Sequence, residues 1–240
     1  MKARVLSCLL SCSLMPAAEH PGWKTLFNGE DLQGWEVRGK GVWSVMPGGV
    51  LVGHRIQENA AAPFPSGWPV TQAQYKSWLY QQAWLYTKEQ FEQFDLYLEY
   101  WLPRGCNSGV SIRDLSRAHF AIGEADADRP DLAGFRKTTP AHIGYEIQII
   151  DPPDRFPTGS IYGLVPAKFG LQKAGEWNTL EIESRSDAIR VRVNGQLAAE
   201  TAADPQRPAR GPIGLQLHDQ FTFILFRDIR IKERAGFTIE

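Results

Sequence analysis

A chain of 240 residues, 43% hydrophobic and 22% charged, suits one large domain with a substantial core and is short for two. Its 26 Lys and Arg balance 27 Asp and Glu, for a net charge of −1. That balance excludes the basic footprint of a nucleic-acid binder and gives no attraction to an anionic membrane surface.

The first 20 residues read as an export signal. Lys2 and Arg4 give a positive start, residues 5–14 are mostly apolar, and Pro16-Ala17-Ala18 supplies small residues near a cleavage point. The apolar run is too short for a membrane span. A mature domain is therefore expected over residues 21–240, exported to the periplasm or beyond the cell. Leu9-Leu10-Ser11-Cys12 resembles a degenerate lipobox, which makes Cys12 a candidate lipid anchor. Processing leaves Cys106 as the one unmodified cysteine, so no internal disulfide framework is expected.

Short alternating runs follow, separated by Gly, Pro, Asn and Asp. Strands are predicted over 42–45, 50–53, 94–101, 108–113, 145–150, 177–184, 188–193, 213–218 and 223–231. Asn194-Gly195 is a hairpin signal between 189–193 and 196–199. Two stretches break this rhythm. Residues 57–90 begin with Pro63, Pro65, Gly67 and Pro69 and continue with Trp78, Tyr80, Trp84 and Tyr86. Thr71 can open a short helix there, although Trp and Tyr also suit strands. Residues 116–142 are polar and read as a long surface loop, of the kind that often frames a binding site. Many short strands with turn chemistry between them predict an all-β sandwich or barrel.

Alternation assigns faces to three of these strands. Val110 and Ile112 face one way, and Asn107, Ser111 and Arg113 the other. Ile147 and Ile149 oppose Glu146 and Gln148. Leu215 and Leu217 oppose Gln216 and His218. One polar face can therefore carry Arg113, Glu146, Gln148, Gln216 and His218. An Arg, a Glu, two Gln and a His suit a polyhydroxyl ligand better than an ordinary solvated face, which favours Thr, Lys and Ser.

Other chemistries leave no signature. The chain has no His/Cys zinc spacing, no Walker or dinucleotide loop, and no Gly-x-Ser-x-Gly elbow. Glu124, Asp126, Asp128 and Asp131 form an acidic loop without a full EF-hand pattern, and they read as solvated.

An ordered series of motifs resembles the 3-keto-disaccharide hydrolase domain family. It begins at Leu26-Phe27-Asn28-Gly29-Glu30-Asp31-Leu32-Gln33-Gly34-Trp35. It continues through Asn107-Ser108-Gly109-Val110, Gly144-Tyr145-Glu146-Ile147-Gln148-Ile149-Ile150-Asp151, Gly159-Ser160-Ile161-Tyr162-Gly163, Gly175-Glu176-Trp177-Asn178-Thr179 and Gly211-Pro212-Ile213-Gly214-Leu215-Gln216. It closes at Phe226-Arg227-Asp228-Ile229-Arg230-Ile231. The resemblance implies a concanavalin-A-like jelly roll, two packed antiparallel sheets with short helical insertions, acting on 3-keto-glycosides. Two departures stand out: Asp219 follows His218 where the family usually has Gly, and the insertions at 57–82 and 116–142 are long. A second resemblance, of Glu146-x-Gln148-x-x-Asp151 to the Glu-x-Asp-x-x-Glu signature of β-glucanases, requires a bulge to bring both ends onto one face.

A ketone at carbon 3 acidifies the proton on carbon 2, so elimination and rehydration give net hydrolysis without paired carboxylates. On this route Glu146 or His218 is the expected base. Arg113 would steady the oxyanion or fix the base. Gln148 and Gln216, with Asn107 and Ser111, would orient hydroxyls, and Tyr162 would donate to the leaving oxygen. Asp151 would orient His218 or help hold a metal, and Trp35 and Trp68 are candidates to cover a sugar face. Glu146 and His218 are the candidate pair for a divalent cation acting as Lewis acid. The alternative is a lectin-like, non-catalytic carbohydrate-binding module on the same fold.

Overall fold

The structure, a computed structural model, describes residues 21–55, 69–125, 129–134 and 138–234. The proposed signal, the anchor at Cys12, and Trp68, Asp126 and Asp128 lie outside the described residues.

Thirteen strands occur in the described residues. They are β1 (Lys24–Thr25), β2 (Trp35–Gly39), β3 (Val42–Met46), β4 (Val50–His54), β5 (Ala83–Thr87), β6 (Phe94–Trp101) and β7 (Asn107–Ile112). Then follow β8 (Tyr145–Ile150), β9 (Trp177–Ser184), β10 (Ala188–Val193), β11 (Gln196–Ala202), β12 (Ile213–Leu217) and β13 (Phe223–Glu233). Two short helices, α1 (Gln72–Leu79) and α2 (Pro140–Ile143), interrupt them. No helix among the described residues is long and apolar enough to cross a membrane.

All pairings are antiparallel and build two sheets. One runs β11-β10-β9-β6-β13-β4-β3, with β1 also on β13; the other runs β2-β5-β12-β7-β8. Alternation decides what lies between them. Leu96, Leu98 and Tyr100 of β6 and Leu180 and Ile182 of β9 are buried on the inner face of the larger sheet. Leu85, Val110, Ile112, Ile147, Ile149, Leu215 and Leu217 meet them from the smaller sheet in one continuous core. This is the expected jelly-roll sandwich of two antiparallel sheets.

The nine predicted strands all form. Three others escape the pattern. Strand β1 is only two residues long. In β2 the core-facing Val37 is exposed at the sheet edge, which blurs the alternation. In β5, Ala-Trp-Leu-Tyr-Thr is buried on both faces, so no polar side marks it as a strand. The aromatic segment divides as its composition allows. Thr71 caps α1, exchanging hydrogen bonds with Gln74 in a capping box, and Trp84 and Tyr86 fall in β5.

Residues 116–142 correct the reading of a surface loop. Ser116, Ala118, His119, Leu132 and Ala141 are buried. Ala118, Ala121 and Ile122 pack on Trp84 and Tyr86, so this part of the segment lies against the outer face of the smaller sheet. The described acidic residues there are partnered: Glu124 pairs with Arg38 and His119, and Asp131 with Arg129.

Candidate functional site

Register builds the outer face of the smaller sheet row by row, because directly paired residues share a face. One row holds Glu36, Tyr86, Gly214, Ser111 and Glu146. In the next, Trp84 pairs with Gln216 and Gly109 with Gln148. His218 follows Leu217 at the end of β12, and Asn107 opens β7. The residues between the large side chains have a steric reason. A Cβ at Gly214 would lie 2.4 Å from Cε1 of Tyr86, so the phenol ring lies across that glycine. A Cβ at Gly109 would come within 3.3 Å of both Gln216 Oε1 and Glu146 Cγ. The bare glycine leaves the lane through which Gln216 Nε2 donates to Glu146 Oε1 at 2.9 Å.

A cavity of about 480 Å³ opens over one half of this face. Asn107, Glu146, Gln148, Tyr162 and His218 line it, together with Tyr80, Gln82, Thr139, Asp154 and Asp219. Glu146 and Gln216 are almost wholly buried. Burial pushes the Glu146 carboxyl up to about 7, against the opposing pull of the His218 charge and the Gln216 hydrogen bond. A carboxyl held there can take and return protons near neutral pH. Beside it, His218 Nδ1 lies 3.3 Å from Asp219 Oδ2. Burial raises the Asp219 carboxyl, but the hydrogen bonds from His218 and the Phe221 amide outweigh it and hold it below the ordinary carboxylate value. Asp219 thus supplies a fixed negative charge to the imidazole. Burial, then the nearby charges of Glu146 and Asp154, raises the Tyr162 phenol, so it remains a protonated donor. Two acceptors, Asn107 Oδ1 and Gln216 Oε1, are buried without a hydrogen-bond partner.

Alternation alone therefore brings Asn107, Glu146, Gln148 and His218 to the cavity, with Gln216 bonded to Glu146. The resemblance adds Tyr162, whose backbone N–H donates to the Glu146 carbonyl at 2.8 Å. Ser111 sits on the same face opposite Glu146 but is fully buried and does not line the cavity.

Three expected site residues lie elsewhere. Arg113 falls after β7 ends, in the left-handed region at φ 60, which breaks the alternation that assigned its face. Its Nε donates to Ser184 Oγ at 3.0 Å and its Nη2 to the Arg185 carbonyl at 2.7 Å, both from the larger sheet. Trp35 is a core residue whose indole N–H donates to the Leu26 carbonyl at 2.9 Å. Asp151 follows the end of β8 and does not line the cavity, and the carboxylate partner of His218 is Asp219. The β7–β8 register, which ends at Ile150, contains no bulge of the kind the glucanase signature requires.

The cavity residues missed in the sequence have different origins. Gln82 and Asp219 extend the ends of β5 and β12, whereas Tyr80, Thr139 and Asp154 come from segments without periodicity. Glu146 and His218 are the pair that could hold a cation. Among the described residues no group of three or more His, Cys, Asp or Glu stands ready to complete such a site.

Comparison with known proteins gives the same architecture. A candidate glycosyl hydrolase from Parabacteroides distasonis superposes with a TM-score of 0.61 at 17% identity, over 89% of this chain and 94% of that one. A carbohydrate-binding module from Bacillus subtilis gives 0.52 at 12%, over 83% and 96%. A β-glucanase from Bacillus licheniformis gives 0.51 at 9%, over 89% and 97%. At these identities the likeness speaks for the fold. No curated protein sequence matches the chain significantly. The model of one family, however, matches residues 22–232. That match takes in both sheets and every lining residue of the Glu146 cavity, and the chain belongs to the 3-keto-alpha-glucoside-1,2-lyase-like domain family.

Proposed function

We propose that the protein is an exported enzyme that cleaves 3-keto-glycosides by elimination and rehydration, with Glu146 as the base. The observation that carries this reading is a buried carboxyl, raised to about 7, facing a polar cavity in which Asn107 Oδ1 is an unpaired acceptor. The ketone makes the carbon 2 proton removable. Glu146 takes it, and the electron pair moves into an enolate stretching from carbon 2 to the carbon 3 oxygen. Tyr162 and the Gln148 amide are the cavity's donors for that oxygen, a role that Arg113 is too remote to fill. The enolate then collapses, the bond from carbon 1 to the leaving oxygen breaks, and His218, held by Asp219, gives that oxygen a proton. Water adds to carbon 1 of the resulting enone and gives up a proton to His218, while Glu146 returns its proton to carbon 2, which restores both groups. Asn107 Oδ1, which lines the cavity, accepts from a sugar hydroxyl, which relieves an unpaired buried acceptor.

Product formation from a 3-keto-glucoside and its unoxidised parent tests this. Wild type should cleave only the keto form, with kcat/KM rising through about pH 7 as Glu146 ionises. Glu146→Gln should lower kcat by about 10²–10⁴-fold, the usual contribution of a positioned base. A parallel assay with chelator asks whether a cation assists. Saturable sugar binding without turnover would instead identify a carbohydrate-binding module.

A further inference from the structure

We propose that Asp154 is a specificity residue of the cavity and that its free carboxylate oxygen binds the hydroxyl on carbon 4 of the keto sugar. This rests on the reading of the cavity as the site of the glycosidic sugar. On that reading the lining groups fix the direction of the ring. His218 meets the leaving oxygen on carbon 1, Glu146 meets carbon 2, and Tyr162 and Gln148 meet the carbon 3 oxygen. Carbon 4 comes next around the ring, so its substituent lies past Tyr162, on the side away from His218.

The fold places Asp154 on that side. The sheet order β12-β7-β8 sets His218 two strands away from β8, which ends the sheet. Glu146, Gln148 and Ile150 alternate onto one face of β8, and all three line the cavity. Tyr162 stands along the edge of β8 that β7 does not pair with. There its N–H donates to the Glu146 carbonyl at 2.8 Å, and Ile161 bridges to Ile147. Asp154 enters the cavity wall four residues after the same strand ends at Ile150. It is tied to the Tyr162 side: the Phe156 N–H donates to Asp154 Oδ1 at 2.7 Å, and the Phe156 ring lies 5.2 Å from that of Tyr162.

Chemistry selects what this carboxylate binds. Three carboxylates line the cavity, and two of them are committed. Glu146 accepts from Gln216 and takes the carbon 2 proton. Asp219 gives Oδ1 to the Phe221 amide and Oδ2 to His218. Asp154 gives Oδ1 to the Phe156 amide, its one hydrogen bond among the described residues, and keeps Oδ2 free. No Lys or Arg among the described residues lines the cavity to compete for that oxygen. An ionised carboxylate only accepts, so it repels the carbon 3 oxyanion and needs a donor. The neighbouring hydroxyl is that donor, in a charge-assisted hydrogen bond about twice as strong as a neutral one.

Affinity in the Glu146→Gln background, where turnover is blocked, tests the assignment. The probes are methyl 3-keto-glucoside and its 4-deoxy analogue. Loss of the hydroxyl should weaken binding about tenfold, the effect of one hydrogen bond to a charged group. In Asp154→Ala the two probes should bind within about twofold of each other, because the hydroxyl has lost its acceptor. Asp154→Asn keeps the Oδ1 bond that shapes the loop and replaces the free oxygen with an amide nitrogen. There the ratio should fall below about threefold. A tenfold ratio that survives either substitution overturns the proposal, as does a 4-deoxy analogue that binds as tightly as its parent when Asp154 is present. The cavity reading fails separately if Gln148→Ala leaves methyl 3-keto-glucoside affinity unchanged. Binding of neither probe overturns both.

Discussion

The outer face of the smaller sheet has two halves made by the same strands, and they spend their polar groups differently. Over β2 and β5 the segment that starts at Asp114 closes the face. There Tyr86 donates to Asp114 Oδ2 at 2.7 Å, and Asp114 also accepts from Ser116 and the Ala118 amide. Nearby, Glu124 pairs with Arg38 and His119. Over β8 and the end of β12 the face stays open, and two buried acceptors are left unpaired around Glu146. The covered half resembles a small second core with an internal polar network. The open half keeps unmet hydrogen-bonding capacity, at a cost in stability, and that capacity is what a ligand can use.

Removing a group from each half should separate these roles. Asp114 is fully buried and collects four hydrogen bonds. Asp114→Ala should cost about 4 kcal/mol of stability in urea unfolding, because a buried network loses its shared acceptor. Methyl 3-keto-glucoside affinity of the protein that remains folded should change little.

Glu146→Gln should act in the opposite direction. Its folded-state carboxyl lies at about 7, above the ordinary 4.5, so ionisation is disfavoured in the fold. The wild-type contribution is complete below pH 4.5 and is lost as the pH rises through 7. The variant should match wild type at pH 4 and exceed it by about 3 kcal/mol at pH 8, while losing turnover. A pH-independent difference would mean that Glu146 is not held protonated by burial.

The sandwich was legible because alternating hydrophobicity is what packs two sheets. The same alternation located Glu146, Gln148, Gln216 and His218, since a register without bulges carries the pattern straight across β7, β8 and β12. Two kinds of residue stayed hidden. Trp84 and Tyr86 present their rings to a face that a distant segment covers, and nothing local to β5 announces that cover. Asp219 and Tyr80 reach the cavity from strand and helix ends, where geometry follows turns rather than periodicity. Residue identity was no guide there: Asp151 and Asp219 both flank a strand end, yet only Asp219 meets the imidazole.

Arg113 gives the smallest expected effect and the sharpest test of that limit. Extrapolating the strand by one residue places it beside Glu146, where it would steady an oxyanion. The left-handed backbone at φ 60 instead sends it between the sheets, to Ser184 and the Arg185 carbonyl. Arg113→Met keeps most of the aliphatic stem and removes the donors. It should cost about 2 kcal/mol, because a buried carbonyl and hydroxyl lose their partner. With the cavity untouched, kcat/KM for a 3-keto-glucoside should stay within about twofold of wild type and the pH profile should not move. A hundredfold fall in kcat at unchanged stability would return Arg113 to the chemistry and show that the sandwich opens at this end during turnover.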